Sequence, residues 1–130
     1  MKKIEVVAAI IHQGDSVFIA QRGYGEFEGL WEFPGGKIED NESHEEALIR
    51  EIKEELCLNI NIEQHCCTID YDYPSFHLTM HCYFCSALDN SPTLLEHKAT
   101  NWVKISELDD VNWVPADKLI LKYILDRFNK

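Results

Sequence analysis

The stretch between residues 43 and 58 limits what this chain can become more than any other. Ser43 and Glu46 form Ser-x-x-Glu, a capping box that satisfies two orphan amides at a helix start. The residues that follow, to about Leu56, are rich in Ala, Leu, Arg, Glu and Lys, all good helix formers. At about 100° per residue, Leu48, Ile49, Ile52 and Leu56 fall on one stripe, and Glu51, Glu54 and Glu55, at i, i+3 and i+4, fall on another. Such a helix must lay its apolar stripe on a second layer, leaving three like charges side by side.

The rest of the chain supplies that layer. Residues 3–12 and 16–21 are apolar, β-branched runs around His12-Gln13-Gly14-Asp15, which reads as a hairpin. A loop carrying Gly23, Gly25 and Gly29 leads to a short strand, residues 31–33, which Pro34-Gly35-Gly36 ends as a turn. Residues 59–73 and 77–88 read as two longer strands, with a turn at 89–92 and another strand at 102–105. Ser106 opens a short acidic helical turn, and Pro115 suits the first turn of a final helix in which Leu119, Ile120, Tyr123, Ile124 and Phe128 recur at helical spacing. This order predicts an α/β (α+β) fold, a mixed sheet with helices packed on it, and 130 residues suit one domain, 1–130.

Composition narrows the function. No apolar run approaches the roughly 18 residues a membrane span needs, and Glu5 with Gly14-Asp15 breaks the N-terminal apolar stretch too early for a leader peptide. Five cysteines, an odd set, favour reduced thiols and a cytoplasmic setting. A net charge of −11 argues against a nucleic acid polymer as partner, because that affinity rests on Lys and Arg neutralising phosphates. A small phosphate ester stays open if divalent cations mediate the encounter, although an acidic surface kept for solubility accounts for the charge equally well.

Clustered carboxylates suit hard divalent cations such as Mg²⁺ or Mn²⁺, which take oxygen ligands and bridge to phosphates. Arg50 stands beside the cluster and can hold a carboxylate or the preceding loop, and Pro34-Gly35-Gly36-Lys37 lets backbone approach ions and phosphates closely, with Lys37 as a cationic contact. On composition alone, a solvated acidic face explains the helix better. Spacing reverses this. Gly36-x5-Glu42-x7-Arg50-Glu51-Ile52-Lys53-Glu54-Glu55-Leu56-Cys57-Leu58 resembles the Nudix hydrolase signature, G-x5-E-x7-R-E-U-x-E-E-x-G-U, with U a bulky aliphatic residue. A chance match to six fixed positions falls below roughly one in a hundred thousand at average residue usage. The departure is Cys57, where the family has a helix-ending Gly; a non-Gly residue at positive φ costs on the order of 1 kcal/mol.

The likeness runs over nearly the whole chain and is nearest to the MutT-type branch that cleaves nucleoside triphosphates, particularly its cytidine-nucleotide members. It implies an α/β/α sandwich and a Mg²⁺-dependent hydrolase, with Mn²⁺ as a substitute. The metal ligands it implies are the Gly35 carbonyl, Glu54 and Glu55, with Glu51 as base or further ligand and Glu96 as an acid from a distal loop. Glu51, Arg50 and Lys37 would form the catalytic group, and Arg22, Glu32, Asp117 and Phe76 would contact substrate. Tyr24 and Trp31 are further aromatic candidates for stacking, ahead of Phe76, although core or loop packing explains each of the three better. An ionised Asp117 would accept from cytosine's amine, which favours a cytidine-type substrate. At a helix start it could equally be a dipole-stabilising residue.

Three alternatives remain at this level: a sanitising hydrolase for oxidised purines such as 8-oxo-dGTP, a non-catalytic nucleotide-sensing module, and a zinc-binding domain built on Cys82-x2-Cys85 with His77, His81 or Cys66. Within a strand those two cysteines point to opposite faces, so buried thiols are the expectation there. A monomer or a homodimer fits equally.

Overall fold

The computed structural model describes residues 2–88 and 97–128. The strands are β1 (Lys2–Gln13), β2 (Ser16–Arg22), β3 (Trp31–Glu32), β4 (Gly35–Lys37), β5 (Ile60–Tyr73), β6 (Phe76–Ala87) and β7 (His97–Lys104). The helices are α1 (His44–Leu56), α2 (Pro115–Lys118) and α3 (Leu121–Phe128), with a 3₁₀ segment at Ile105–Asp110. The sheet runs β3-β2-β1-β6-β5, with β4 on β1 and β7 on β2. It is mixed: β1 lies parallel to β6 from Lys2 opposite Phe76 to Ile11 opposite Cys85, and the remaining pairs are antiparallel.

Period-two alternation sorts β1 between two cores. Val7, Ala9 and Ile11 join Phe18, Cys85 and the α1 residues Ala47, Leu48, Ile52 and Leu56 on one face. Ala8 and Ile10 join Val17, Ile19, Cys82 and Phe84 on the other, beneath Leu108, Ala116, Ile120 and Ile124. Helices therefore cover both faces, as in an α/β/α sandwich. Each fully buried Leu or Ile contributes about 1.5–3 kcal/mol, enough to hold α1 against its own acidic face. Cys82 and Cys85 do fall on opposite faces, and the five cysteines are free thiols.

Several expectations are corrected. Ile49 is 47 % exposed, so the apolar stripe of α1 rests on Ala47, Leu48, Ile52 and Leu56 instead. Pro34 ends β3, but Gly35 and Gly36 resume pairing as β4, opposite Ala8 and Val7, where glycine lets the two backbones close. The final helix is broken: Leu119 and Ile120 donate to Ala116 and Asp117, bonds three residues back that tighten the turn and reset the axis. Strand β7 begins at His97, before the expected 102, and Ile105 already belongs to the 3₁₀ segment.

Candidate active site

The loop before α1 is built to present Arg50. Glu39 N donates to Glu42 Oε1 at 2.9 Å, and the capping box is complete: Glu46 N to Ser43 Oγ at 3.1 Å and Ser43 N to Glu46 Oε1 at 2.9 Å. Two turns along, Arg50 reaches back and clamps Glu42 bidentately, Nε to Oε2 at 2.6 Å and Nη2 to Oε1 at 2.9 Å. Its Nη2 also donates to the Lys37 carbonyl at 3.0 Å, and Nη1 to Glu51 Oε1 at 2.7 Å and Glu54 Oε2 at 3.3 Å. The Arg50 hydrogen bonds pull the Glu42 carboxyl down to about 2, and Glu42 in turn holds the Arg50 cation above its ordinary value. Arg50 is thus the rivet between loop and acidic face.

Glycine is required on the loop side. A Cβ on Gly36 would overlap the Glu51 carboxylate, and a Cβ on Gly35 would overlap the Val7 carbonyl. Glu51, its side chain 16 % exposed, therefore lies against the Gly36 backbone with one oxygen on Arg50. Glu54 stands outward at 60 %, and Glu55 is buried at 9 %. The three acids share a side of α1 but occupy three different surroundings.

Glu55 looks into a cleft of about 370 Å³ whose walls include Gly35, Gly36, Lys37, Arg22, Glu32 and Asp117. Arg22 and Glu32 form an ion pair across β2 and β3 at 2.6 Å. Asp117 is 5 % exposed and accepts from Phe33 N at 2.9 Å. Burial, reinforced by Glu32, pushes its carboxyl up to about 8. Where the sequence suggested an ionised Asp117, desolvation favours the neutral acid near neutral pH, with a donor as well as acceptors.

Phe76 and Tyr24 line the cleft, whereas Trp31 packs on the core and its backbone bonds to Asn112 and Val114 brace the segment leading to Asp117. Glu96 lies outside the described residues. Tyr73, Phe27, Leu78 and Met80, which line the same cleft, were not anticipated. The alternation Phe76, Leu78, Met80 was the available signal, since one side of a strand shares one environment. Tyr73 stacks on Phe76 at 5.0 Å and its hydroxyl accepts from Ala116 N at 3.1 Å, fixing the start of α2.

The groups expected to hold a metal, the Gly35 carbonyl and the carboxylates of Glu51, Glu54 and Glu55, would offer oxygen alone, a chemistry that fits a hard divalent cation. Among the described residues, the one trio of metal-capable side chains with ligand atoms mutually within 4.8 Å lies elsewhere, at Glu5, His44 and His81. None of these three lines the cleft.

A sheet covered on both faces, with a riveted Gly loop and an acidic helix opening on a cleft, is an arrangement suited to a phosphoanhydride hydrolase of the kind that generally uses divalent metals. The family model described as NUDIX domain matches residues 6–123, and the chain belongs to the Nudix family, as a hydrolase acting on acid anhydrides. It is 33 % identical over 123 residues to the CTP pyrophosphohydrolase of Escherichia coli K12, covering 94 % of this chain and 91 % of that protein. It is 38 % identical over 94 residues to the 8-oxo-dGTP diphosphatase of Proteus vulgaris, covering 71 % and 84 %. The solution structure of the E. coli ORF135 protein superposes with a TM-score of 0.85 at 32 % identity, covering 100 % of this chain and 94 % of that one. No described helix is long and apolar enough to cross a membrane.

Proposed function

We propose that the protein hydrolyses a cytidine-type nucleoside triphosphate, unmodified or damaged, to the monophosphate and pyrophosphate. The observation that carries this reading is Asp117, a buried acid in the same cleft as Glu55 and the Gly35-Gly36 backbone. A neutral carboxyl offers O–H and C=O together, and cytosine presents an acceptor ring nitrogen beside a donor amine, so the two edges are complementary. The full-length likeness to the E. coli CTP pyrophosphohydrolase supports the same substrate.

Mg²⁺, held by Glu54, Glu55 and the Gly35 carbonyl, with Glu96 as a further ligand, would neutralise the phosphates and activate water. Glu51, pinned between Arg50 and Gly36, orients the attacking water and takes its proton. Arg50 keeps Glu51 and the Lys37 carbonyl in register, and the Lys37 ammonium steadies the phosphate chain. Arg22, braced by Glu32, fixes the far end of the substrate while Phe76 and Tyr24 flank the base. The encounter is with a free nucleotide, in the cytoplasm, in a chain that acts as one domain.

The test is a panel of CTP, dCTP, methylated and oxidised nucleotides ranked by kcat/KM with Mg²⁺, run in ¹⁸O-labelled water. Cytidine nucleotides leading the panel, with pyrophosphate released, is the expected result. Release of single phosphates would overturn the reaction. A clear lead for 8-oxo-dGTP would instead favour the second reading, which rests on the O–H of neutral Asp117 and on the likeness to the Proteus vulgaris diphosphatase. Nucleotide binding without turnover would make the protein a sensing module.

A further inference from the structure

We propose that Glu5, His44 and His81 form a second metal site, for a borderline divalent ion such as Zn²⁺, at the head of α1 and apart from the catalytic cleft. The three come from separate elements, β1, the first residue of α1 and β6, and their ligand atoms lie within 4.8 Å of one another. The His44 and His81 rings stack at 4.0 Å and 23°, and His81 Nε2 already meets Glu5 Oε2 at 3.0 Å.

The surroundings favour ligation through Nε2. His81 Nδ1 lies 3.2 Å from Thr68 Oγ1, and His44 Nδ1 lies 3.2 Å from the Tyr83 hydroxyl. Each hydroxyl oxygen can accept the Nδ1 proton and so orient the ring once a metal takes the place of the Nε2 proton that His81 now shares with Glu5, as outer hydrogen bonds do in metal sites. Thr68 is itself placed by His65 Nε2 at 3.0 Å. A tetrahedral ion with bonds of about 2.0–2.1 Å needs ligand atoms about 3.3 Å apart. The Glu5 side chain, 56 % exposed, can swing the remaining distance, and the half-buried His44 ring must turn out of its stack to bring both Nε2 atoms onto one ion, whereas His81, at 14 %, is the fixed point.

Two imidazoles and one carboxylate select Zn²⁺ or its neighbours over Mg²⁺, the reverse of the all-oxygen set in the cleft. This is a different zinc site from one built on Cys82 and Cys85, whose side chains belong to opposite cores. With three protein ligands, the fourth position is left to water. A bound ion would tie the head of α1 to two sheet strands, stiffening the end of the helix nearest the Glu39–Glu42 turn.

The experiment is a Zn²⁺ titration of the full chain against a chromophoric chelator in excess Mg²⁺, paired with Co²⁺ absorption spectra. One Zn²⁺ per chain is expected, unmoved by Mg²⁺ and retained in E51Q/E54Q. Binding should be lost in H44A and in H81A, and weakened on the order of tenfold in T68V. The Co²⁺ spectrum should be that of a four-coordinate nitrogen and oxygen site. Displacement by Mg²⁺, retention in H44A, or a thiolate charge-transfer band would each overturn the proposal. Should H81A fail to fold by circular dichroism, H44Q, at a half-buried position, and E5Q, at an exposed one, carry the same test, and unchanged affinity in both would overturn it.

Discussion

The Arg50 guanidinium and the Glu42 carboxylate face each other fork to fork, at 2.6 and 2.9 Å, across the loop that separates them. The same guanidinium holds Glu51 and the Lys37 carbonyl, so its planarity, beyond its charge, organises the site. A lysine keeps the charge but cannot span these partners. R50K should lower kcat on the order of 10²-fold, the cost of a small misplacement of reacting groups. Steady-state kinetics check this, and KM should change much less than kcat.

Gly35 and Gly36 are adjacent and should fail differently. In G36A the added methyl meets the end of the Glu51 side chain, which can swing aside, so the fold survives and turnover drops. In G35A it meets the Val7 and Ala8 backbone, which cannot yield without breaking the β1–β4 pairing. G35A should therefore lose about 1–3 kcal/mol by denaturant melts, as overpacking does, while G36A melts near the parent and is poorly active.

Cys57 ends α1 at φ 52 and ψ 34, in the left-handed region, with its N–H on the Lys53 carbonyl. The departure from the Nudix pattern thus changes the residue and keeps the conformation. C57G should stabilise the protein by about 1 kcal/mol, or roughly 4 °C in Tm, without altering kcat.

Asp117 has a folded pKa of about 8 against an ordinary 3.8. Between those values the folded chain holds a proton that the unfolded chain has released, so this group's contribution is fully present below about pH 4 and is lost as the pH rises toward about 8. D117N, which keeps an acceptor for Phe33 N, should flatten that decline and raise Tm more at the alkaline end than at the acid end. Thermal melts across the range check the sign; a larger gain at acid pH would contradict it.

Where the chain's chemistry is local, it was legible in the sequence. The capping box, the acidic side of α1 and the Arg50 clamp all follow from spacings within one helix and its approach. The β4 pairing was hidden because it depends on β1, some thirty residues upstream, accepting a Gly-Gly backbone where Pro34 signals only a turn. Exposure of Ile49 was hidden because periodicity assigns a stripe but not its width. Asp117 was legible as a candidate, yet its protonation was not, since Glu32, Phe33 and Arg22 are brought around it only by the tertiary fold.

The parallel pairing of β1 with β6 sets Lys2 opposite Phe76, so the strand made first waits for one made much later. A ribosome adding about 5–20 residues per second leaves β1 and its β2 hairpin without that neighbour for several seconds. During this interval the run from Val6 to Ile11 is an open apolar edge, a target for chaperones or for a sister chain. Yield during synthesis should therefore respond to translation speed and chaperone supply more than to the stability of the finished enzyme.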